Sequence, residues 1–340
     1  MHETVVTEAA PAAATITFRE AINEALRLEM EEDPGLLLMG EVIATAEGAS
    51  RVTGGLVEEF GPGRVIETPV SENMLVGAGL GGALGGQRMV IEVMSADFLL
   101  TAASEILNDM AKWRYQHRWE GPLSLVLRMP MGSGVPFAGP EHQQCIEGYL
   151  HRAAGLTVVN PGSAATVGGL LRAAIRLGDP VVFLEHRRLY ATTVARDEAE
   201  LEPDETPIGR ATAVREGDDL TIVAWSWMRA IAETAADSLA AEGIAAEIVD
   251  PVTIKPLDSE AILASVAKTG HLLVVEEAPR TGCVGAHLLS LALEAGHGGP
   301  GQMGLVTMPD VPHPFSGVLG GVPIPTAEQV RERAVEMLRA

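Results

Sequence analysis

Short apolar runs alternate with segments of helical periodicity along most of the chain. Residues 36–39, 123–127 and 181–184 are strand-like runs, and residues 164–176 have helical spacing. Strands that alternate with helices at this spacing are typical of parallel sheets covered by helices. The sequence therefore predicts an α/β fold built on mostly parallel sheets.

A change of composition divides the chain into two predicted domains. The stretch 197–207 is acidic and contains two prolines, which is typical of a linker. We predict a flexible tail at residues 1–15, a first domain at 16–200, a linker at 201–206 and a second domain at 207–340. A chain of 340 residues has a suitable length for two domains.

The net charge restricts the partners of this protein. The formal charge is −22, whereas binding to nucleic acid requires a basic surface, so we expect no nucleic-acid partner. No apolar run reaches the about 18 residues of a membrane span, and the N-terminal residues lack the basic region of a signal peptide. We therefore expect a cytoplasmic location. Cys145 and Cys283 are far apart in sequence and indicate neither a disulfide framework nor a cysteine metal site.

A glycine-rich segment at residues 77–82 matches the pattern G-x-G-x-x-G. One interpretation is a dinucleotide-binding loop of an oxidoreductase, which should pass directly from a strand into a helix. However, residues 71–75 separate the glycines from the strand, and Gly77, Gly81 and Gly85 recur every fourth residue. Such glycines form a smooth stripe on one helix face. Because each glycine weakens a helix by about 1 kcal/mol relative to alanine, we favour close packing against another backbone, such as that of a neighbouring subunit.

Two polar side chains, Glu72 and His142, stand at candidate functional positions. Glu72 follows Ser71 at a strand end, where Ser71 is a predicted helix N-cap and the helix dipole favours an anion. His142 ends the stretch 131–142, which is rich in Gly and Pro and lacks periodicity. Long loops of this kind are usually functional or disordered. From these residues alone, Glu72 is interpreted as a carboxylate in the capping turn of a helix, and His142 is interpreted as a solvated histidine.

The motifs taken together change this interpretation. They resemble, in order and over about residues 16–335, the β subunits of thiamine-diphosphate-dependent 2-oxoacid dehydrogenases of the pyruvate, branched-chain and acetoin types. The resemblance implies a transketolase-like pyrimidine-binding domain followed by a transketolase C-terminal-like domain. The matching segments are residues 38–41, 67–72, 97–98, 140–144, 179–186, 188–190, 255–258, 277–282 and 309–312.

The resemblance implies roles for four side chains. Glu72 would bond a ring nitrogen of the thiamine pyrimidine and promote its imino tautomer, because a carboxylate beside that nitrogen favours its protonation. Phe98 would pack against the pyrimidine ring, and Glu41 would lie near the cofactor. His142 would take part in proton transfer and in passing the acyl group to a lipoyl arm.

The resemblance also implies metal ions. Magnesium and diphosphate are usually held by a G-D-G motif, but this chain has only Gly178-Asp179-Pro180 and Gly217-Asp218-Asp219. We therefore expect Mg²⁺ to be held mainly by a separate α subunit. The resemblance further implies a potassium ion bound by the backbone carbonyls of Leu125, Ala174, Leu177 and Asp179.

The implied assembly is an α2β2 heterotetramer that serves a lipoyl-bearing acyltransferase core. Its activity would be oxidative decarboxylation of a branched-chain 2-oxoacid or pyruvate, with acyl transfer to the lipoyl domain. Two alternatives remain at this point besides the dinucleotide-dependent oxidoreductase described above. One is a thiamine-dependent carboligase or split transketolase-like subunit without a lipoyl partner. The other is a noncatalytic subunit that only braces the α chain.

Overall fold

A computed structural model describes residues 14–48, 50–134, 138–203, 208–316, 318–319 and 323–340. Residues 1–13 of the predicted tail and 204–206 of the predicted linker lie outside the described residues. The tail prediction is wrong at its last residue, because Thr15 pairs with Ala195 in a two-stranded antiparallel sheet.

Fourteen strands and ten α-helices make up the described part of the chain. In chain order they are β1 (Thr15–Thr17), α1 (Phe18–Glu32), β2 (Leu37–Glu41), α2 (Leu56–Phe60), β3 (Val65–Thr68), α3 (Glu72–Leu84), β4 (Met89–Glu92), α4 (Ala111–His117), β5 (Leu125–Met131), α5 (Glu147–His151), β6 (Thr157–Val159), α6 (Val167–Arg176), β7 (Val181–His186), β8 (Thr193–Ala195), β9 (Thr212–Arg215), β10 (Leu220–Ala224), α7 (Ser226–Ala241), β11 (Ala246–Asp250), β12 (Thr253–Lys255), α8 (Ser259–Thr269), β13 (Leu272–Pro279), α9 (Val284–Glu294), β14 (Met303–Met308) and α10 (Ala327–Arg339).

The first domain is built on a seven-stranded sheet with the order β12-β6-β7-β5-β4-β2-β3. All neighbouring strands are parallel except the pair β12 and β6. Strand β12 belongs by sequence to the second predicted domain, yet Thr253 lies opposite Val159. The second domain therefore contributes an edge strand to the first, and the two share a continuous hydrophobic core that includes Val158 and Ile254.

The second domain has a five-stranded sheet with the order β14-β13-β10-β11-β9. Strands β14, β13, β10 and β11 are parallel, and β9 is antiparallel to β11. Buried residues from β10, β11 and β13 pack with α7 and α10 into one cluster. The first four residues of β13, Leu272–Val275, form a continuous apolar run, as expected for a strand that is covered on both faces.

Helix α3 contains the glycine-rich segment, so the dinucleotide-loop interpretation is wrong. The helix packs on the sheet through Gly79, where an added Cβ would lie 2.8 Å from Cγ1 of Ile91. At Gly81 an added Cβ would meet nothing within 4 Å in the part of the chain that the structure describes. One glycine face is therefore closed by the sheet, whereas the Gly81 face is open.

The region between β4 and α4 is not one continuous α-helix. Ala96–Leu100 forms a 3-10 turn and Glu105–Met110 a π-helical turn before α4 begins. π-Helical turns often occur at functional sites. Here they alter the path of the chain next to Phe98, which lies in the 3-10 turn.

Candidate active site

Two carboxylates meet at the carboxyl ends of parallel strands β2 and β3. Glu41 is the last residue of β2, and Glu72 is the first residue of α3, which follows β3. Their side chains are almost completely buried, with 1% of Glu41 and 6% of Glu72 exposed. Oε1 of Glu41 accepts a hydrogen bond from the backbone N–H of Ser71 at 3.1 Å. Glu41 therefore fixes the turn that places Glu72.

The capping role predicted for Ser71 is wrong. Its side chain makes no capping hydrogen bond, and its Oγ lies 3.1 Å from Oδ1 of Asn73. The backbone φ of −170° and ψ of 81° at Ser71 direct its N–H to Glu41. The residue therefore acts through its backbone, because a buried carboxylate 30 positions earlier supplies the acceptor.

Among the described residues, only one of the two oxygen atoms of the Glu41 carboxylate accepts a hydrogen bond. Burial and the charges of Glu72 and Glu92 raise the pKa of Glu41 above its ordinary value, although the Ser71 N–H opposes this shift. Its Oε2 is buried and has no hydrogen-bond partner among the described residues. Because an unpaired buried acceptor is costly, this end of the sheet fits a ligand that presents N–H groups. An aminopyrimidine ring is such a ligand.

Phe98 and His142 are brought together by two short turns. Their ring centroids lie 5.2 Å apart, and the rings are nearly perpendicular at 89°. Nδ1 of His142 lies 3.0 Å from the carbonyl oxygen of Ala138. Since a carbonyl can only accept, Nδ1 donates the hydrogen, and Nε2 is the proton acceptor of the neutral ring. Both side chains line a cavity of about 390 Å³, which we call the His142 cavity.

Asp97 links the two turns, a role that its motif match alone does not predict. Its Oδ2 accepts from Oγ of Ser95 at 2.8 Å. Its Oδ1 accepts from the backbone N–H and the Nε2 of Gln144, at 3.2 and 2.9 Å. Asp97 therefore holds the Phe98 turn against the loop that carries His142.

A buried ion-pair network joins strands β4, β5 and β7 and was missed by sequence reasoning. Arg128 in β5 is 0% exposed. It donates to Glu185 at 2.7 and 2.8 Å and to Glu92 at 2.8 Å, and the hydroxyl of Tyr190 donates to Glu185. Burial lowers the pKa of Arg128, but the charges of Glu185 and Glu92 outweigh this effect and raise it. Glu92, Arg128 and Glu185 lie in different strands, so their network can be recognised only when the pairing of β4, β5 and β7 is known.

A second buried cluster joins the two domains. Cys145, His186 and Glu277 place potential metal-ligand atoms within 4.8 Å of one another. However, Nδ1 of His186 accepts from the backbone N–H of Arg188 at 3.2 Å, so Nε2 carries the hydrogen and donates to Glu277 at 3.0 Å. A metal at Nε2 would require both ring nitrogens to be deprotonated. The geometry therefore fits a hydrogen-bonded pair better than a metal centre.

The Glu277 carboxylate is strongly stabilised in its charged form. Burial alone would raise its pKa, but His186 and the hydrogen bonds of Ser133 outweigh burial and lower the pKa to about 2. Glu277 lies in β13 and Ser133 follows β5, so this contact ties the second domain to the first. Both cysteines, Cys145 and Cys283, are free thiols that line the same cavity of about 800 Å³ beside this cluster.

The residues expected to bind potassium lie around the end of α6 and the start of β5. Ala174 is in α6, Leu177 and Asp179 follow it, and Leu125 begins β5. The guanidinium of Arg114 occupies this corner, with Nη2 2.8 Å from the carbonyl oxygen of Gly178 and Nε 2.5 Å from Oδ1 of Asp179. An arginine thus already supplies positive charge here, and potassium binding stays a prediction.

Comparisons with known proteins identify the family. Residues 14–193 match the family model "Transketolase, pyrimidine binding domain", and residues 209–330 match "Transketolase, C-terminal domain". The mitochondrial pyruvate dehydrogenase E1 component subunit beta-1 of Arabidopsis thaliana is 38% identical over 323 residues, which cover 94% of this chain and 89% of the relative. The chain belongs to the β-subunit family of 2-oxoacid dehydrogenases. The family and fold class predicted from the sequence are therefore confirmed.

Other relatives of this β subunit agree. The 2-oxoisovalerate dehydrogenase subunit beta of Bacillus subtilis is 36% identical, with 83% of this chain and 85% of the relative covered. A solved structure titled "Split gene transketolase, inactive beta4 tetramer" matches with a TM-score of 0.78 at 24% identity, over 95% of this chain and 99% of that chain. The latter likeness supports the fold alone. Among the described helices, none combines the length and apolar character needed to span a membrane.

Proposed function

We propose that this chain is the β subunit of a thiamine-diphosphate-dependent 2-oxoacid dehydrogenase, with Glu72 and His142 as its catalytic residues. The observation that carries the proposal is the pair of buried carboxylates, Glu41 and Glu72, at the carboxyl ends of β2 and β3. Ligands of open α/β sheets bind at this edge. The Oε2 of Glu41 has no hydrogen-bond partner among the residues described, which supports a donor-bearing ring as the ligand.

Each residue then has a distinct task. Glu72 holds a proton on a pyrimidine nitrogen, and Glu41 keeps the Glu72 turn in place through Ser71. Phe98 offers its partly exposed ring as a packing surface for the pyrimidine. Thiamine diphosphate, when bound, supplies the electron sink for breaking the bond to the carboxylate carbon.

His142 is suited to proton transfer beside the ring of Phe98. Its Nδ1–H is tied to Ala138, which leaves Nε2 to accept or return a proton. Asp97 keeps the His142 loop against the Phe98 turn. In the proposed complex His142 assists acyl transfer to a lipoyl arm.

Another chain must complete the site. The missing G-D-G motif indicates that an α subunit holds Mg²⁺ and the diphosphate in an α2β2 assembly. The relatives include subunits of both pyruvate and 2-oxoisovalerate dehydrogenases, so both acids are candidate substrates. A lipoyl-bearing acyltransferase partner, a potassium ion and a cytoplasmic location stay predictions of the sequence.

The test is the Glu72→Gln variant assembled with the α subunit, thiamine diphosphate and Mg²⁺. We expect kcat to fall by about 10²- to 10⁴-fold, the usual contribution of a positioned proton-transfer group. The matched control is Glu59→Gln, which also changes an acidic residue in a helix first turn but is exposed; its kcat should stay within twofold.

Each outcome has a definite meaning. Unchanged turnover in Glu72→Gln would show that the carboxylate is not catalytic and would favour the bracing-subunit alternative. An assembly that binds thiamine diphosphate but decarboxylates no 2-oxoacid would instead favour the carboligase alternative.

A further inference from the structure

The His142 cavity has a charge opposite to that of the whole chain. The protein carries a net charge of −22. Yet the described residues that line the cavity include two arginines, Arg19 and Arg187, together with His142, and no carboxylate. In so acidic a chain, this local excess of positive charge indicates a site for an anion.

Arg187 is a guanidinium without an ion pair among the described residues. Its Nη2 donates to Oγ of Ser95 at 2.7 Å, and its Nη1 donates to the carbonyl oxygen of Gly132 at 3.3 Å. The nearby carboxylate of Asp97 is already engaged by Ser95 and Gln144. Burial lowers the pKa of Arg187, because its neighbours only partly replace the water that would stabilise its charge.

Arg19 approaches the same cavity from helix α1. The pairing of β1 with β8 anchors the start of α1, and the capping box of Thr17 and Glu20 fixes its first turn. The guanidinium carbon of Arg19 lies 6.0 Å from the ring centroid of Tyr190. Its Nε is buried and has no hydrogen-bond partner among the described residues. A buried donor without a partner costs free energy, which a bound acceptor would recover.

We propose that Arg19 and Arg187 bind the carboxylate of the 2-oxoacid substrate, an inference that rests on the proposed function. A guanidinium offers paired N–H donors that match a carboxylate, and both side chains border the cavity that contains Phe98 and His142. The product CO₂ is uncharged, so the two arginines favour the substrate over this product. They also discriminate 2-oxoacids from neutral carbonyl compounds of similar shape.

The experiment measures equilibrium binding to the assembled α and β subunits by calorimetry. The probes are oxamate, an unreactive analogue that carries the carboxylate, and oxamide, its neutral counterpart. We compare the wild type with Arg19→Gln, Arg187→Gln and the control Arg27→Gln, which removes a half-buried arginine of α1 that pairs with Glu31. Arg19→Lys and Arg187→Lys keep the charge, and they replace the Gln variants if those do not assemble.

We expect the wild type to bind oxamate at least tenfold more tightly than oxamide. Each Gln variant should lose about 10- to 100-fold in oxamate affinity, as for the loss of a hydrogen bond to a charged group. The affinity for oxamide should change less than twofold, and Arg27→Gln should change neither affinity. The Lys variants should lie between the wild type and the Gln variants.

Equal losses for oxamate and oxamide, or no loss, would overturn the inference. A Gln variant that binds oxamate normally but associates at least tenfold more weakly with the α subunit would assign the two cations to a carboxylate of that subunit, which also overturns it. A wild type that prefers oxamate but turns over no 2-oxoacid would retain the anion site and reject the proposed function. A working enzyme that does not bind oxamate more tightly than oxamide would support the proposed function and overturn the anion site.

Discussion

Replacing Gly81 by alanine should strengthen helix α3 but weaken subunit assembly. Gly81 lies inside α3, and an added Cβ would meet no atom of the described residues within 4 Å. The helix should therefore gain about 0.5–1 kcal/mol from the substitution. If the open glycine face packs against another subunit's backbone, the added methyl group must push the two backbones apart. We expect at least a tenfold loss of affinity for the α subunit, which corresponds to about 1.4 kcal/mol.

The control is Gly79→Ala on the closed face of the same helix. Its Cβ would lie 2.8 Å from Cγ1 and 2.9 Å from Cδ1 of Ile91. Overpacking costs about 1–3 kcal/mol, which should outweigh the gain in helix propensity. Urea denaturation at fixed protein concentration reports stability, and analytical ultracentrifugation with the α subunit reports assembly. Unchanged assembly affinity in Gly81→Ala would refute the interpretation of this face as a subunit contact.

Two further predictions concern buried charges. Burial and the charge of Glu147 raise the pKa of Glu276 to about 8. The stability contributed by protonated Glu276 is therefore complete below the unfolded pKa of about 4.5 and is lost, by up to about 5 kcal/mol, as pH rises through 8. Glu276→Gln should flatten the pH dependence of the urea midpoint over this range. Parallel plots of urea midpoint against pH for the variant and the wild type would contradict this assignment. Arg128→Met should cost about 3–5 kcal/mol because it removes the buried cation that lies between the carboxylates of Glu92 and Glu185. Arg215→Met breaks a more exposed pair with Asp237 and should cost less than about 1 kcal/mol. Equal urea midpoints in these two variants would refute the difference.

Local pattern was enough to predict several parts of this protein. Alternating apolar runs and helical segments correctly indicated two α/β units, because burial imposes these periodicities on each element separately. The spacing of Gly77 and Gly81 likewise indicated a helix instead of a nucleotide loop, and α3 confirms it. The positions of Glu72 and Phe98 after successive strands followed from motif order, but their catalytic roles are still predictions.

Contacts between distant segments could not be derived in this way. Strand β12 joins the sheet of the preceding domain, although nothing in residues 253–255 specifies an antiparallel partner. Ser71 uses its backbone because Glu41 reaches it, and Arg128 is neutralised only where β4, β5 and β7 lie side by side.

The sequence by itself thus determined the family, the two α/β units and the candidate residues on each strand end. Tertiary structure alone decided which charges meet, including the approach of Arg19 to Arg187 across the His142 cavity. The physical reason is that periodicity reports whether a residue is buried within its own element. The partner of a buried charge depends instead on which strand ends become neighbours when the sheet forms.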